Sequence, residues 1–422
     1  MTTANSTACP NCSSKVPVDE GYLPWCDACG WNVNPPALVR PPRNAAQHVA
    51  SKLGARTSAK LAEEVAAGRS GRRWSFALTA AALLVHLFVL GLAVGGAWLI
   101  VSTFPNPFAM LPAAAMLGAA WLARPRPSRA PKQLLDRGSY PGLYGLADAV
   151  AAEVGARPVH GIAMSVDYNA SMGLYGWRQR PIMTIGVPLL AVLGAQERAA
   201  LMAHELAHDH AGDTWRSLFV GTAENALAEL YGLVTPYAMS TTVGGRRYQH
   251  QSTLQMTAVN LFMAFVAFLV RPVIRGFWLL EGRQSQRAEY LADRVSAETA
   301  GVEAARGLMV KLHATHSLSK LAATAASYGD GDVLGRVRAR MANAPKREWD
   351  RVERTMQLEE TRIAWSHPPT AARIAMLDRL GDRSAEVTVS PELEAEIERE
   401  LAPLEARASV ELLERHRASI YR

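Results

Sequence analysis

Between Trp74 and Val101 the chain runs for 28 residues without one Asp, Glu, Lys or Arg. A helix of about 20 apolar residues crosses the ~30 Å hydrocarbon core of a bilayer, so this run is long enough to span one with some tilt. Phe104-Pro105-Asn106-Pro107 then turns the chain, and Phe108 to Ala123 returns as a shorter apolar run near the lower limit for a span. Arg69, Arg72 and Arg73 precede the first run, Arg124, Arg126, Arg129 and Lys132 follow the second, and the turn between them carries no charge. Basic residues on both outer flanks predict an inserted hairpin with both ends in the cytoplasm. Trp74, Trp98 and Trp121 lie near the run ends, where interfacial aromatics are expected. His86 falls inside the first run. The expected reading is a neutral imidazole bonded to a neighbouring helix, against the alternative of a functional ionisable group.

A chain of 422 residues has room for two or three domains with sizeable cores. Its 49% apolar content and net charge of +7 exclude a disordered chain. Met1 to Thr7 is mostly polar, so no N-terminal signal peptide is expected. All four cysteines fall early, as Cys9-Pro10-Asn11-Cys12 and Cys26-Asp27-Ala28-Cys29. Two C-x-x-C knuckles supply the four thiolates that tetrahedral zinc takes, which predicts a zinc ribbon over residues 1–34. The competing reading, two dithiol redox pairs, lacks a surrounding βαβ pattern. Between Pro10 and Trp25 there is one Lys and no Arg, so no nucleic-acid partner is expected, and the ribbon's partner is unknown. Residues 35–73 read as a Pro-rich linker and a helix from Asn44 to about Ala67, with Val49, Leu53, Leu61 and Val65 as its apolar positions. The hairpin occupies 74–124.

Further along, Tyr140 to Val154 reads as a helix, and Val159–Val166, Asn169–Leu174 and Ile182–Val187 as a small sheet whose edge suits an extended peptide. A helix over Gln196–Asp213 follows, rich in Glu, Arg, Ala, Leu and Met, with the sequence Ala203-His204-Glu205-Leu206-Ala207-His208 inside it. Residues four apart share a helix face, so His204 and His208 offer two imidazoles to one metal ion. Glu205 stands one step around, placed to act as general base on a water. Two apolar segments come next, Leu218–Met239 and Leu254–Leu280. Glu224, Glu229, Arg246, Arg247, Arg271 and Arg275 argue against a simple span, and a helical hairpin at or partly in the membrane is expected over 218–280. A third metal ligand is sought beyond it. Glu289 and Asp293 lie four apart in a polar helical patch, Glu289 suited to ligation and Asp293 to orienting a ligating imidazole. An ordinary solvated helix is the competing reading.

The pattern H-E-x-x-H followed about 80 residues later by Glu289-Tyr290-Leu291-Ala292-Asp293 resembles the M48 zinc peptidases, which include the HtpX-like and CAAX-prenyl-processing enzymes. Asp213, five residues after His208, matches the spacing of HtpX-like members. Asn169-Ala170-Ser171-Met172-Gly173 is similar to the substrate-binding edge strand of that family. Ser366-His367-Pro368-Pro369 with Arg373-Ile374 and Leu377 is similar to its late motif, which implies that His367 and Arg373 contact the substrate carbonyl or the site carboxylates. The resemblance implies a mainly α fold with a small β-sheet, an α+β zincin-type peptidase domain over 132–382, carrying one catalytic zinc besides the ribbon's structural zinc. Together with the hairpin and its basic flanks, which predict an integral membrane protein with N-terminus and active site cytoplasmic, it implies an endopeptidase acting on protein or peptide substrates, chiefly membrane proteins, at the lipid bilayer. Glu224 and Glu229 depart from the more apolar segment of HtpX-like members, and the ribbon lies outside the family core. Residues 383–422 read as a charged helix with Leu393, Ile397, Leu401 and Leu404 in helical spacing. Two alternatives stay open: a catalytically silent membrane scaffold that recruits a partner through the ribbon, and a membrane-tethered nucleic-acid regulator.

Overall fold

The structure, a computed structural model, describes residues 6–33, 45–68, 72–210, 214–234, 240–243, 246–249, 254–314, 323–324, 327, 331–359 and 368–420. In chain order the elements are β1 (Ser6–Ala8), β2 (Lys15–Pro17), α1 (Ala45–Ala66), α2 (Arg72–Thr103), α3 (Pro107–Leu122), α4 (Pro141–Val154), β3 (Gly161–Ser165), β4 (Ala170–Tyr175) and β5 (Arg180–Gly186). Then follow α5 (Val187–Val192), α6 (Ala195–His210), α7 (Thr214–Val234), β6 (Ser240–Val243), β7 (Arg246–Gln249), α8 (Leu254–Ala300) and α9 (Val302–His313). The remainder comprises α10 (Val333–Ala342), α11 (Lys346–Glu359), α12 (Thr370–Asp378) and α13 (Pro391–Ile420). The fold is mainly α with small sheets, as the sequence predicts. Its elements form two compact units: Met1–Ser70, Arg129–Gly212 and Ser285–Arg422 in one, Gly71–Ser128 and Asp213–Gln284 in the other.

The second unit is built on α2, whose Ser75–Thr103 is long and apolar enough to cross a membrane; α3 is shorter. Leu78, Ala82, Val85 and Val89 form one stripe of α2 and are buried with Ala223 and Leu227 of α7 and Ile274 and Phe277 of α8. The other faces carry Phe76, Leu84, Leu87, Phe88 and Trp98 exposed, and Trp121 of α3 is exposed as well. At Gly96 a Cβ would lie 3.1 Å from the Ala113 carbonyl oxygen, so the absent side chain lets α2 and α3 approach closely. His86 Nε2 sits 2.9 Å from the Phe219 carbonyl oxygen, the neighbouring-helix bond expected of it.

Two features of the 218–280 region differ from the expectation. The second apolar segment is not a separate helix; it is the first part of a single helix of 47 residues, Leu254–Ala300, that runs through Pro272 into the polar patch carrying Glu289 and Asp293. Proline removes one backbone donor and strains one turn, but the Arg-, Leu-, Glu- and Gln-rich sequence beyond it sustains the helix. Between α7 and α8 stands an antiparallel pair, β6 with β7, where only a loop is expected.

The first unit contains a three-stranded sheet of order β3-β5-β4, with β3 parallel and β4 antiparallel to β5. Gly186 ends β5 where a Cβ would fall 1.7 Å from the Asp167 carbonyl oxygen, so only glycine fits. Its amide donates to the Asn169 carbonyl at 2.8 Å, fixing the start of β4. Helices α4, α5, α6, α9 and α13 pack around this sheet in one core that includes Leu143, Leu146, Ile185, Leu189, Leu201 and Leu308. Each such side chain contributes about 1.5–3 kcal/mol when fully buried. Ile397, Leu401 and Leu404 of α13 are buried in it, so the charged helix docks on the body. Glu400 accepts from the amides of Gly142 and Leu143 at 2.7 and 2.9 Å, supplying the N-terminal cap that α4 lacks in its own sequence. Helix α1 gains a role that its sequence does not disclose. Leu61, Ala62 and Val65 enter the same core, Ser58 Oγ lies 2.7 Å from the Tyr290 hydroxyl, and the Val65 carbonyl accepts from Arg294 at 3.1 Å.

Candidate metal centres

Helix α6 is held rigidly before any chemistry is asked of it. Ala199, Ala200, Leu201, Met202, Ala203 and Leu206 are all buried, because the helix is enclosed on several faces. Ser296 donates to the Ala200 carbonyl at 2.8 Å, and Arg198 donates twice to the Leu190 carbonyl and pairs with Glu398. The i, i+4 spacing sets the rings of His204 and His208 with centroids 5.1 Å apart, edge to face. Glu289 approaches from α8: its Oε2 lies 3.6 Å from His204 Nε2 and its Oε1 3.9 Å from His208 Nε2. All three donor atoms fall within 4.8 Å of one another. Ligands about 2.0 Å from a tetrahedral zinc stand roughly 3.3 Å apart, so a small closure would fit the ion, with the fourth position left for water or substrate. Two imidazoles and one carboxylate also match zinc's preference for nitrogen and oxygen donors in an open site.

Behind these groups, Asp293 is fully buried. Its Oδ1 lies 3.1 Å from His204 Nδ1 in an oblique, ion-pair-like approach, which turns Nε2 toward the metal position. Arg373 of α12 donates to Asp293 through Nε at 2.7 Å and Nη2 at 2.6 Å, and Nη2 stands 3.3 Å from Glu289. Of the two contacts the family resemblance allows Arg373, the structure thus has the one to the site carboxylates. Burial alone would raise the Asp293 carboxyl, but Arg373 and His204 outweigh it and hold it below the usual carboxylate value. Burial works against charge on His204 too, yet the neighbouring carboxylates of Asp293 and Glu289 overcome it and raise the imidazole to about 9. His208 has no such support, and burial with the neighbouring His204 lowers it to about 4. Glu205 is raised, chiefly by burial, into the direction a general base needs.

Sheet and helix meet at Glu205. The backbone of Met172 in β4, an edge strand of the sheet, comes close enough to lower the Glu205 carboxyl in part, against the larger upward effect of burial. Asn169, Ala170, Ser171 and Gly173 lie on either side of Met172 along this edge, Asn169 and Ser171 exposed and the others half-buried. No sequence signal marks the approach of Met172, since it acts through its backbone, which has no residue type. Asp213 and His367, with Ser366, lie outside the described residues.

The four cysteines meet at a second place. Cys9 and Cys29 sulfurs are 3.6 Å apart, as are those of Cys12 and Cys26, and all four lie within 4.8 Å of one another. Four sulfurs about 2.3 Å from a tetrahedral zinc stand roughly 3.8 Å apart, so this cluster also fits. Hydrogen bonding to Ser14 lowers the Cys12 thiol to about 6, toward the thiolate that binds metal. The β1–β2 hairpin brings the first knuckle round, and Cys9, Val16 and Cys26 with Trp31 form the ribbon's own small core.

An H-E-x-x-H helix joined by a carboxylate from a later helix, beside a sheet edge, is the arrangement of a metallopeptidase. Residues 145–380, more than half of the chain, match peptidase family M48, and the chain belongs to that family. The matched stretch contains α6, Glu289, Asp293 and Arg373, and excludes the cysteine ribbon, α2 and α3.

Proposed function

We propose that this chain is a zinc-dependent endopeptidase anchored in a membrane, hydrolysing peptide bonds at the cytoplasmic face, with membrane proteins or their cytosolic segments as substrates. The observation that carries this reading is the convergence of His204, His208 and Glu289 within 4.8 Å, with Glu205 on the same helix. When bound there, zinc supplies Lewis acidity, bringing a water's pKa toward about 7 and polarising the scissile carbonyl. Glu205 takes the proton from the attacking water and returns it to the leaving amine. Asp293 and Arg373 hold His204 in its ligating orientation, and Asp293 keeps the Arg373 charge compensated. A substrate extended along Asn169–Gly173 would add a strand to the free edge of β4, which brings its backbone beside Glu205.

Membrane attachment rests on the apolar Ser75–Thr103 segment and the exposed apolar groups around α2. A cytoplasmic site follows from the arginines flanking the hairpin on both outer sides. Resemblance to the HtpX-like enzymes suggests a part in membrane-protein quality control. A full donor set together with its general base disfavours a catalytically silent scaffold. The test is Glu205→Gln in the full-length protein with a casein or membrane-protein substrate. Zinc content should stay unchanged, while cleavage falls by at least about 10²–10⁴-fold, the contribution of one general base. Cleavage at the wild-type rate would defeat the reading.

A further inference from the structure

We infer that the cysteine ribbon braces the Arg373 side of the metal site by docking its second knuckle on this chain's own helix α11. The link to Arg373 rests on the function proposed above; the docking does not.

Helix α11 carries Arg347, Arg351 and Arg354 at i, i+4 and i+7, hence on one stripe. All three donate to backbone carbonyls of the ribbon's second half. Arg347 binds the Trp25 carbonyl and pairs with Asp27; Arg354 reaches the Asp27 carbonyl at 2.9 Å, and Arg351 the Val33 carbonyl at 2.9 Å. In return Trp25 Nε1 donates to the Arg347 carbonyl at 3.2 Å, and the Tyr22 hydroxyl to the Arg340 carbonyl at 2.7 Å. The guanidinium groups of Arg347 and Arg340 stack over Trp25 and Tyr22, at 4.6 and 4.0 Å from the ring centres. Trp25 is 1% exposed and Arg351 5%, with Glu348 chelating the Arg351 charge at 2.9 and 2.6 Å. The centre of this two-way interface, Trp25 and Arg351, is desolvated, the condition under which such contacts carry binding energy, while Arg354 and Asp27 stand at its exposed rim.

Two of the carbonyls it uses, Trp25 and Asp27, flank Cys26 in the second knuckle. Strands of three residues and a core of a few side chains cannot hold a knuckle in shape unaided, so the interface depends on closure of the four cysteines around a metal. The opposite face of α11 turns Trp349, Val352 and Met356 into the core shared with Ile374, Met376 and Leu377 of α12. Arg306 of α9 ties Glu353 of α11 at 3.1 Å and Asp378 of α12 at 3.6 Å. Helix α12 carries Arg373, which holds Asp293 and through it His204. Contacts therefore run without a break from the ribbon to the metal site.

The experiment compares wild type, Cys12→Ser, Arg351→Ala with Arg354→Ala, and Arg354→Lys, all full-length, by hydrogen exchange, metal content per chain and steady-state cleavage. Cys12→Ser should lower the metal content from two to one and speed amide exchange across 346–359 about tenfold or more, as local opening loses charge-assisted bonds. The double arginine variant should show the same exchange with both metals kept. In both, kcat should fall with KM little changed, and Arg354→Lys should stay near wild type. Unchanged exchange in α11 for either variant overturns the docking as a metal-dependent brace. Faster exchange at unaltered kcat overturns the link to Arg373. Faster exchange where even the wild type cleaves nothing keeps the docking and defeats the peptidase reading instead.

Discussion

Replacing Asp293 by Asn tests how the buried ion cluster prepares the metal site. In the metal-free protein the His204 imidazole, raised to about 9, holds a proton at pH 7, while His208, lowered to about 4, holds none. A metal entering at pH 7 must therefore expel about one proton, and its affinity should rise about tenfold per pH unit up to about pH 9. Burial is the largest influence on His204 and acts downward; the Asp293 carboxylate is the first of the neighbours that reverse it. Without that carboxylate Glu289 alone is left to oppose burial, so the imidazole's pKa falls and fewer protons are released. Binding does not tighten, however, because the orienting acceptor is gone; loss of such a partner costs about 10–100-fold in metal affinity. Arg373, 8% exposed, is also left without its two-pronged partner, which should cost about 3–5 kcal/mol of stability. Zinc titration by calorimetry in two buffers of different ionisation enthalpy counts the protons released. Those released at the cysteines cancel between wild type and Asp293→Asn. Equal proton release by the two proteins, or a pH slope unchanged by the substitution, would refute the account of the cluster.

Two further outcomes are expected. Gly186→Ala places a methyl group 1.7 Å from the Asp167 carbonyl oxygen and 3.0 Å from that of Asn169. Overpacking of this kind costs about 1–3 kcal/mol, so Tm should drop and, with the start of β4 displaced, KM should rise more than kcat falls. A Tm equal to wild type would contradict the tight crossing at Gly186. Leu84→Arg with Leu87→Arg, both exposed on α2, should impair insertion, since each arginine costs about 2.5–3.5 kcal/mol at the centre of a spanning helix. Alkaline extraction of membranes reads this directly, and full retention of the double variant in the pellet would argue against α2 facing lipid.

The chemistry was more legible in the sequence than its supports. His204 and His208 announce themselves because a helix puts i and i+4 on one face, and Glu289 with Asp293 repeats that spacing. Strand limits were readable from Pro, Gly and Asn near the ends of β3, β4 and β5. Helix α8 was not readable as one element: Arg271 and Pro272 interrupt the apolar run, while the helical backbone continues through them to Ala300. Apolar positions in α1 are evident, but a stripe of Leu61 and Val65 does not name what it meets. The same holds for Arg347, Arg351 and Arg354, whose regular spacing is visible and whose acceptors lie more than 300 residues earlier as bare carbonyl groups. Sequence periodicity reports which face of a helix is special, and only the folded chain reports the partner of that face.

Helix α13 carries a consequence for the order of events in synthesis. Glu398 pairs with Arg198 of the H-E-x-x-H helix, Glu400 caps the start of α4, and Ile397, Leu401 and Leu404 complete the core beneath them. Every donor to the catalytic metal leaves the ribosome before these residues do. During synthesis the three metal-site donors therefore precede the helix that frames them, and the framework is complete only once translation has passed Leu404.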